Sequence, residues 1–194
     1  MYDAKIISTL RQGGVVVMPT DTIYGIVGQA LNQKAVERIY ALKQRTPTKP
    51  VIILIADVAD LQKFNIPINQ LTNRLINQLW PGAVSIILPC DRPEFEYLHR
   101  GTNTLAFRLP ADEELRIFLR ETGPLIAPSA NTEGEPPAQD MSEAQNYFHD
   151  GVDAYKDGGQ ITGKPSTLIS IADGRVIILR QGEVSIPGEL LVAA

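Results

Sequence analysis

The stretch Lys43 to Pro50, KQRTPTKP, places three cations, Lys43, Arg45 and Lys49, between a predicted helix and a predicted strand. On a continuing helix Lys43 and Arg45 would point apart. Prolines at 47 and 50 favour an extended path instead, on which alternate residues share a side. An ammonium and a guanidinium then face one polyanion, the lysine as a point charge and the arginine as a bidentate fork. Neither G-x-x-x-x-G-K-[ST] nor G-x-G-x-x-G occurs in the chain, so a phosphate bound here would be held mainly by side chains.

Three further strand ends carry small hydroxyls. Thr20-Asp21-Thr22 follows Pro19 directly after an apolar run. APSAN (127–131) ends another with Ser129 and Asn131. No G-x-S-x-G elbow surrounds Ser129, so it is expected to contact a ligand rather than act as a nucleophile. Ser166 and Thr167 open a strand after Gly163, and Arg180 closes its partner just before Gly182. Taken singly, each is an ordinary turn. Arg108 joins them from inside LAFRLP, where an arginine in an apolar strand is costly unless paired. Asp21, another acid or an anionic ligand would each serve as its partner. A small carboxylate together with a triphosphate would account for both positive sites.

The elements that must position these groups alternate early. Asp3 caps a first helix that Gly13-Gly14 ends, and Val15–Met18 is a strand. Apolar residues at helical spacing mark 34–43, and VIILIA from Val51 is a strand buried on both faces. Helices are expected near 58–64 and 69–80, and strands at 83–88 and 104–109. Asp112 caps a helix to about Glu121, PLIAP (124–128) is a buried strand, and Ser142 with Gln145 suits a capping box for a helix to Phe148. STLISI and RVIILR flank Asp173-Gly174, which suits a tight hairpin turn. The pattern predicts an α/β (α+β) fold with a mixed sheet covered by helices. The polar stretch 131–142 is the best linker candidate, yet the chain beyond it is too short for a second core, so one domain is expected.

Composition narrows the function classes. The chain has 194 residues, 44% of them hydrophobic, and a net charge of −4. That charge argues against a general nucleic-acid coat while leaving room for a local basic cleft. No apolar run approaches a membrane span, and MYDAKIIS is no secretory signal. Cys90 is the only cysteine, which suits a reducing, cytoplasmic setting, and Cys90, His99 and His149 are too scattered for structural zinc.

The order and spacing of PTDTIYGI, KQR with KP, WPGAVSIIL, TLAFRLP, PSAN, DGG (157–159), ST (166–167) and LRQG (179–182) resemble the YrdC-like proteins. The resemblance runs from Asp3 to about Ile186, with a short tail at 187–194. It implies a twisted mixed parallel and antiparallel sheet flanked by helices, with a concave, locally positive cleft. It also implies an activity. L-Threonine, bicarbonate and ATP, with Mg²⁺ accompanying the nucleotide, would give threonylcarbamoyl-AMP and diphosphate for N6-threonylcarbamoyladenosine in tRNA. By the same resemblance Lys43 and Arg45 are the catalytic cations. Arg45, Lys49, Thr104, Ser129, Asn131 and Arg180 would line the ATP site, and Thr22, Arg108 and Ser166 would meet the threonine. As a threonine ligand, Arg108 is expected to lack a protein partner while the site is empty. Downstream tRNA threonylcarbamoyl-transfer proteins, and RNA itself, are the implied partners. Longer members carry a histidine where this chain has Leu54, and a further C-terminal domain, so this chain is expected to be the short, single-domain form. The competing readings are an RNA-binding module without catalysis and a paralogue with an altered substrate.

Overall fold

In the computed structural model, which describes residues 3–172 and 174–191, side-chain caps start most helices where the sequence expects them. Asp3 accepts the Ile6 amide and opens α1 (Ala4–Arg11). Asn32 caps α2 (Gln33–Leu42), and Asn69 caps α3 (Gln70–Leu79). Helix α4 (Glu96–His99) is a single turn. Asp112 caps α5 (Glu113–Thr122), and Gly123, at φ +79°, ends it. Each cap takes an amide that a helix start leaves without a partner. The expected Ser142–Gln145 box does not form. Helix α6 (Met141–Phe148) starts earlier, where Asp140 accepts the Glu143 amide and Glu143 accepts the Gln139 amide. A carboxylate is also the better partner for the positive end of the helix. Residues 58–64 form a 3₁₀ rather than an α-helix, capped by Asp57.

Among the described residues nine strands form one sheet: β1 (Val16–Pro19), β2 (Tyr24–Gln29), β3 (Ile52–Leu54), β4 (Val84–Pro89), β5 (Thr104–Arg108), β6 (Leu125–Ile126), β7 (Ala154–Tyr155), β8 (Thr167–Ala172) and β9 (Arg175–Arg180). Their spatial order is β7-β1-β2-β6-β3-β5-β4-β8-β9. The β1–β7, β3–β5 and β4–β8 pairs are parallel and the others antiparallel, so the sheet is mixed, as the sequence implies. Strand β2 is not among the strands that the sequence pattern predicts. Its two glycines weaken the strand signal, and the fold uses one of them for close approach. A Cβ on Gly28 would lie 3.1 Å from Ile39 Cδ1 and 3.2 Å from Ala35 Cβ, so α2 packs straight onto the strand backbone. The β8–β9 hairpin closes with Ala172 opposite Arg175. Asp173, expected in its turn, lies outside the described residues.

Alternation along the strands separates two faces. Val17, Ile26, Ile53, Ile86, Phe107 and Ile169 form one core with apolar residues of α2, α3 and α6. On the other face Val16, Met18, Val27 and Leu54 pack with α1 and α5 residues such as Leu10 and Phe118. The rest of that second face carries a cavity. Core packing runs past the expected boundary at 186: Ile186 and Leu190 both belong to the larger core.

Candidate functional site

The cavity holds about 280 Å³ and is floored by the strands themselves. Thr104, Ala106 and Arg108 alternate toward it along β5, while Leu105 and Phe107 enter the core. The β1–β2 connection supplies Thr20, Thr22 and Ile23, and the segment after β6 supplies Pro128 and Ser129. Ser166 and Leu168 come from the start of β8, Arg180 from the end of β9, and Arg45 from the loop after α2. A wider depression of about 1030 Å³ beside Asn32, Lys34 and Lys63 is shallow, and its buried Thr122 hydroxyl is already donated to Phe118 and Gly123 carbonyls. The smaller cavity is the better site because buried polar groups converge there.

The two threonines and the aspartate after Pro19 have a local reason for their order. Thr20 Oγ1 donates to the Ile23 carbonyl at 2.7 Å and accepts the amides of Thr22 and Ile23 at 3.3 Å, closing the β1–β2 hairpin. That turn leaves Thr22 on the cavity wall and turns Asp21 toward Arg108. Arg108 Nη1 donates to Asp21 Oδ1 at 2.5 Å, with side chains 5% and 9% exposed, and Nη2 lies 3.5 Å from Thr22 Oγ1. The expectation that Arg108 stands without a protein partner is therefore overturned. Desolvating a lone guanidinium costs more than the hairpin spends in bringing it a carboxylate. Arg108 Nε is buried and has no hydrogen-bond partner among the described residues.

Ser166 is 3% exposed and shares a 2.8 Å hydrogen bond with Ser85. Its carbonyl accepts Arg180 Nη2 at 2.9 Å, which fixes that guanidinium at the cavity wall. Partial burial, then the charges of Arg108 and Arg45, lower the Arg180 pKa from its ordinary value. Arg45 donates through Nε to the Lys49 carbonyl and through Nη2 to the Pro50 carbonyl, at 3.1 and 2.8 Å. Three arginines thus border one cavity, and among the described residues its lining contains no aromatic ring and no carboxylate, the Asp21 carboxylate being engaged by Arg108 beside it.

Seven of the ten expected site residues line this cavity: Thr22, Arg45, Thr104, Arg108, Ser129, Ser166 and Arg180. Lys43, Lys49 and Asn131 do not. Lys43 is 1% exposed, and its Nζ donates to the carbonyls of Ser129 and Asn131 at 2.5 Å and lies 3.4 Å from Asn131 Oδ1. It holds the 129–131 turn from behind, where its helix-terminal position points it inward. Burial, and then the Arg45 charge, bring its pKa from 10.5 down to about 7. Asn131 is tied by Lys43, by the Ser129 hydroxyl at 2.5 Å, and through its own amide to the Thr132 and Glu135 carbonyls. Lys49 is drawn off to an ion pair with Glu133. Leu54 is 1% exposed in the core beneath α1 and α5, in register with Arg108 on the neighbouring strand.

Sequence reasoning missed Glu133 and Ser85, whereas Thr20, singled out with Asp21 and Thr22, does line the cavity. Nothing local marks Ser85 or Glu133, because their partners lie 81 to 87 residues away. Among the described residues no three His, Cys, Asp or Glu side chains cluster closely enough to hold a metal ion, and no helix is long and apolar enough to cross a membrane.

The Sua5/YciO/YrdC family model, described as "Telomere recombination", matches residues 8–182. A threonylcarbamoyl-AMP synthase of Bacillus subtilis (strain 168) is 35% identical over 188 residues, covering 94% of this chain and 54% of the relative. The synthase of Nitrosococcus oceani is 34% identical over 167 residues, covering 86% of this chain and 89% of the relative. The solved structure of Pyrococcus abyssi Sua5 complexed with L-threonine superposes with a TM-score of 0.84 at 30% identity, over 92% of this chain and 53% of that one. The chain therefore spans about half the length of the Bacillus and Pyrococcus proteins.

Proposed function

From the fact that this chain belongs to the Sua5/YciO/YrdC family, we propose that it makes threonylcarbamoyl-AMP and diphosphate from L-threonine, bicarbonate and ATP. The observation that carries this reading is the convergence of Arg45, Arg108 and Arg180 on one cavity, where among the described residues only Arg108 has an acidic partner, Asp21. Such a lining suits substrates that bring several negative charges of their own. The L-threonine complex of the related Pyrococcus abyssi protein supports an amino-acid subsite.

In this reading the threonine carboxylate lies against Arg108, with the Thr22 hydroxyl beside it. Its amine attacks bicarbonate carbon and water leaves, giving a carbamate. A carbamate oxygen then attacks the α-phosphorus of ATP, and the bond to the diphosphate breaks. No protein nucleophile is required. Arg45 and Arg180 are the cations placed to hold phosphate oxygens as charge shifts onto the leaving diphosphate. Thr104 and Ser129 supply hydroxyls along the same wall. Lys43, read from sequence as catalytic, acts here by shaping the 129–131 turn. The lining offers no carboxylate for a resident metal, so Mg²⁺ belongs to this scheme only as the ion that accompanies ATP. The product would pass to tRNA through downstream transfer proteins, in a cytoplasmic setting that the lone, buried Cys90 suits.

An RNA-binding module is the weaker reading, since single-stranded bases are normally held by stacking on aromatic side chains and this lining has none. The test is diphosphate release from ATP with and without L-threonine and bicarbonate. Release that requires both supports the synthase; release indifferent to threonine defeats it.

A further inference from the structure

Two loops meet at the cavity mouth. One is the cationic loop 43–50, and the other runs from Pro128 to Glu135. Lys43 joins them from within. Glu133 joins them from outside. Its amide donates to the Lys43 carbonyl at 2.8 Å. Its carboxylate accepts the Thr46 amide, the Thr46 hydroxyl at 3.0 Å and the Lys49 ammonium.

We propose that Glu133 is a positioning residue for phosphate binding, acting through Thr46 to aim the Arg45 guanidinium into the cavity. The inference rests on the reading of the cavity as an anion site. The loop cannot set its own shape. Pro47 and Pro50 have no N–H to give, and Gln44 sits at φ +49°. The loop's internal contacts are few. Lys49 N–H reaches the Thr46 carbonyl at 3.1 Å, and Arg45 takes the Lys49 and Pro50 carbonyls. Those two carbonyls hold the Nε and Nη2 side of the guanidinium and leave Nη1 for a ligand. Where they sit depends on the turn at 46–49, whose two ends Glu133 grips at Thr46 and Lys49, and on the Tyr40 hydroxyl, which donates to the Lys49 carbonyl at 2.7 Å. Thr46 and Glu133 thus do at the loop what sheet register does for Arg108.

The Glu133–Lys49 contact is the lesser part of the clamp. Lys49 is 58% exposed, so water and salt screen the pair. Were that ion pair the main effect, Glu133 would compete with phosphate for Lys49, and its removal would strengthen binding. Positioning through Thr46 predicts the opposite sign.

The experiment compares the parent with Glu133→Ala and Glu133→Gln as full chains. Binding of inorganic tripolyphosphate and of a non-hydrolysable ATP analogue is measured by calorimetry. Thermal stabilisation by L-threonine serves as the control, and hydrogen exchange at the Thr46 amide reports the clamp directly. Glu133→Ala is expected to weaken tripolyphosphate about tenfold, the scale of one hydrogen bond to a charged group. It should also speed Thr46 exchange while leaving the L-threonine effect in place. Glu133→Gln keeps an oxygen acceptor for Thr46 and should bind within about threefold of the parent. Parental or tighter binding by Glu133→Ala overturns the proposal. So does Glu133→Gln as weak as Glu133→Ala, because the effect would then track charge rather than the clamp. Loss of tripolyphosphate binding in a protein whose parent releases no threonine-dependent diphosphate would sink the synthase reading and leave the clamp standing.

Discussion

The two ends of the cavity each carry an ion pair, and they are built in opposite ways. Arg108 and Asp21 are 5% and 9% exposed and are carried on a strand and a hairpin turn. Lys49 and Glu133 are 58% and 22% exposed and are carried on loops. At the first end, hydrogen-bonded register fixes the backbone: β5 is held by β3 on one side and β4 on the other. The side chain then needs only one partner. At the second end no strand includes residues 43–50, and the shape of the loop depends on a few polar contacts, to another loop through Glu133 and to α2 through Tyr40. A buried pair of this kind couples binding to the stability of the whole sheet. An exposed pair on a loop can alter binding while leaving stability nearly untouched.

Four measurements break or sharpen that contrast. The largest effect is expected for Arg108→Leu. It strands a buried Asp21 carboxylate, and urea unfolding should register a loss of about 3–5 kcal/mol. Adding Asp21→Leu should restore much of it; a single variant as stable as the parent would put both ends in one class. Arg45→Ala should slow threonine-dependent diphosphate release on the order of 10²-fold, the scale for one preorganised donor on developing charge. Its urea midpoint should stay near the parent's, and a large shift there would make the loop part of the folding core.

Lys43 lies between the two ends and gives a pH signature. Its folded pKa, about 7, is below the ordinary 10.5. Between those values the unfolded chain binds more protons than the folded one, so stability should rise with pH across that window and the contribution should fade as pH drops toward 7. Thermal melts at pH 7 and pH 9 should show this rise in the parent and a flatter response in Lys43→Met. Equal slopes would mean that the ammonium stays charged among its carbonyl acceptors. The smallest effect is expected for Lys49→Met, where the melting temperature should move by no more than about 2–4 °C. A larger fall would make the exposed pair structural after all.

Only part of the first end was legible in the sequence, since reading Arg108 as a threonine ligand implies no protein partner and Asp21 pairs with it. An arginine inside LAFRLP demands a partner, and Asp21 is one of the acids that could supply it, since burial of an unpaired charge is prohibitive wherever it occurs. The second end was legible only in its cations. Lys43, Arg45 and Lys49 all read as facing the substrates, yet they diverge: one is buried against carbonyls, one faces the cavity and one pairs with Glu133. Strand β2 was missed because Gly25 and Gly28 look like breakers until α2 is seen to need the space at Gly28, and Thr20 and Pro128 the space at Gly25.

The sequence by itself determined the local events. Asp3, Asn69 and Asp112 cap their helices, alternation on β5 sorts site from core, and the prolines at 47 and 50 keep the cationic loop out of a helix. These depend on bonds spanning a few residues, which composition and spacing record. Tertiary structure decided which polar groups meet. Asp21 meets Arg108 across 87 residues, Ser85 meets Ser166 across 81, and Thr46 meets Glu133 across 87. The first two meetings are fixed by strand order and register, and the third by the two loops that the sheet brings together. The strand order is set by burying both faces of the whole sheet at once, a condition that no short stretch of sequence can carry.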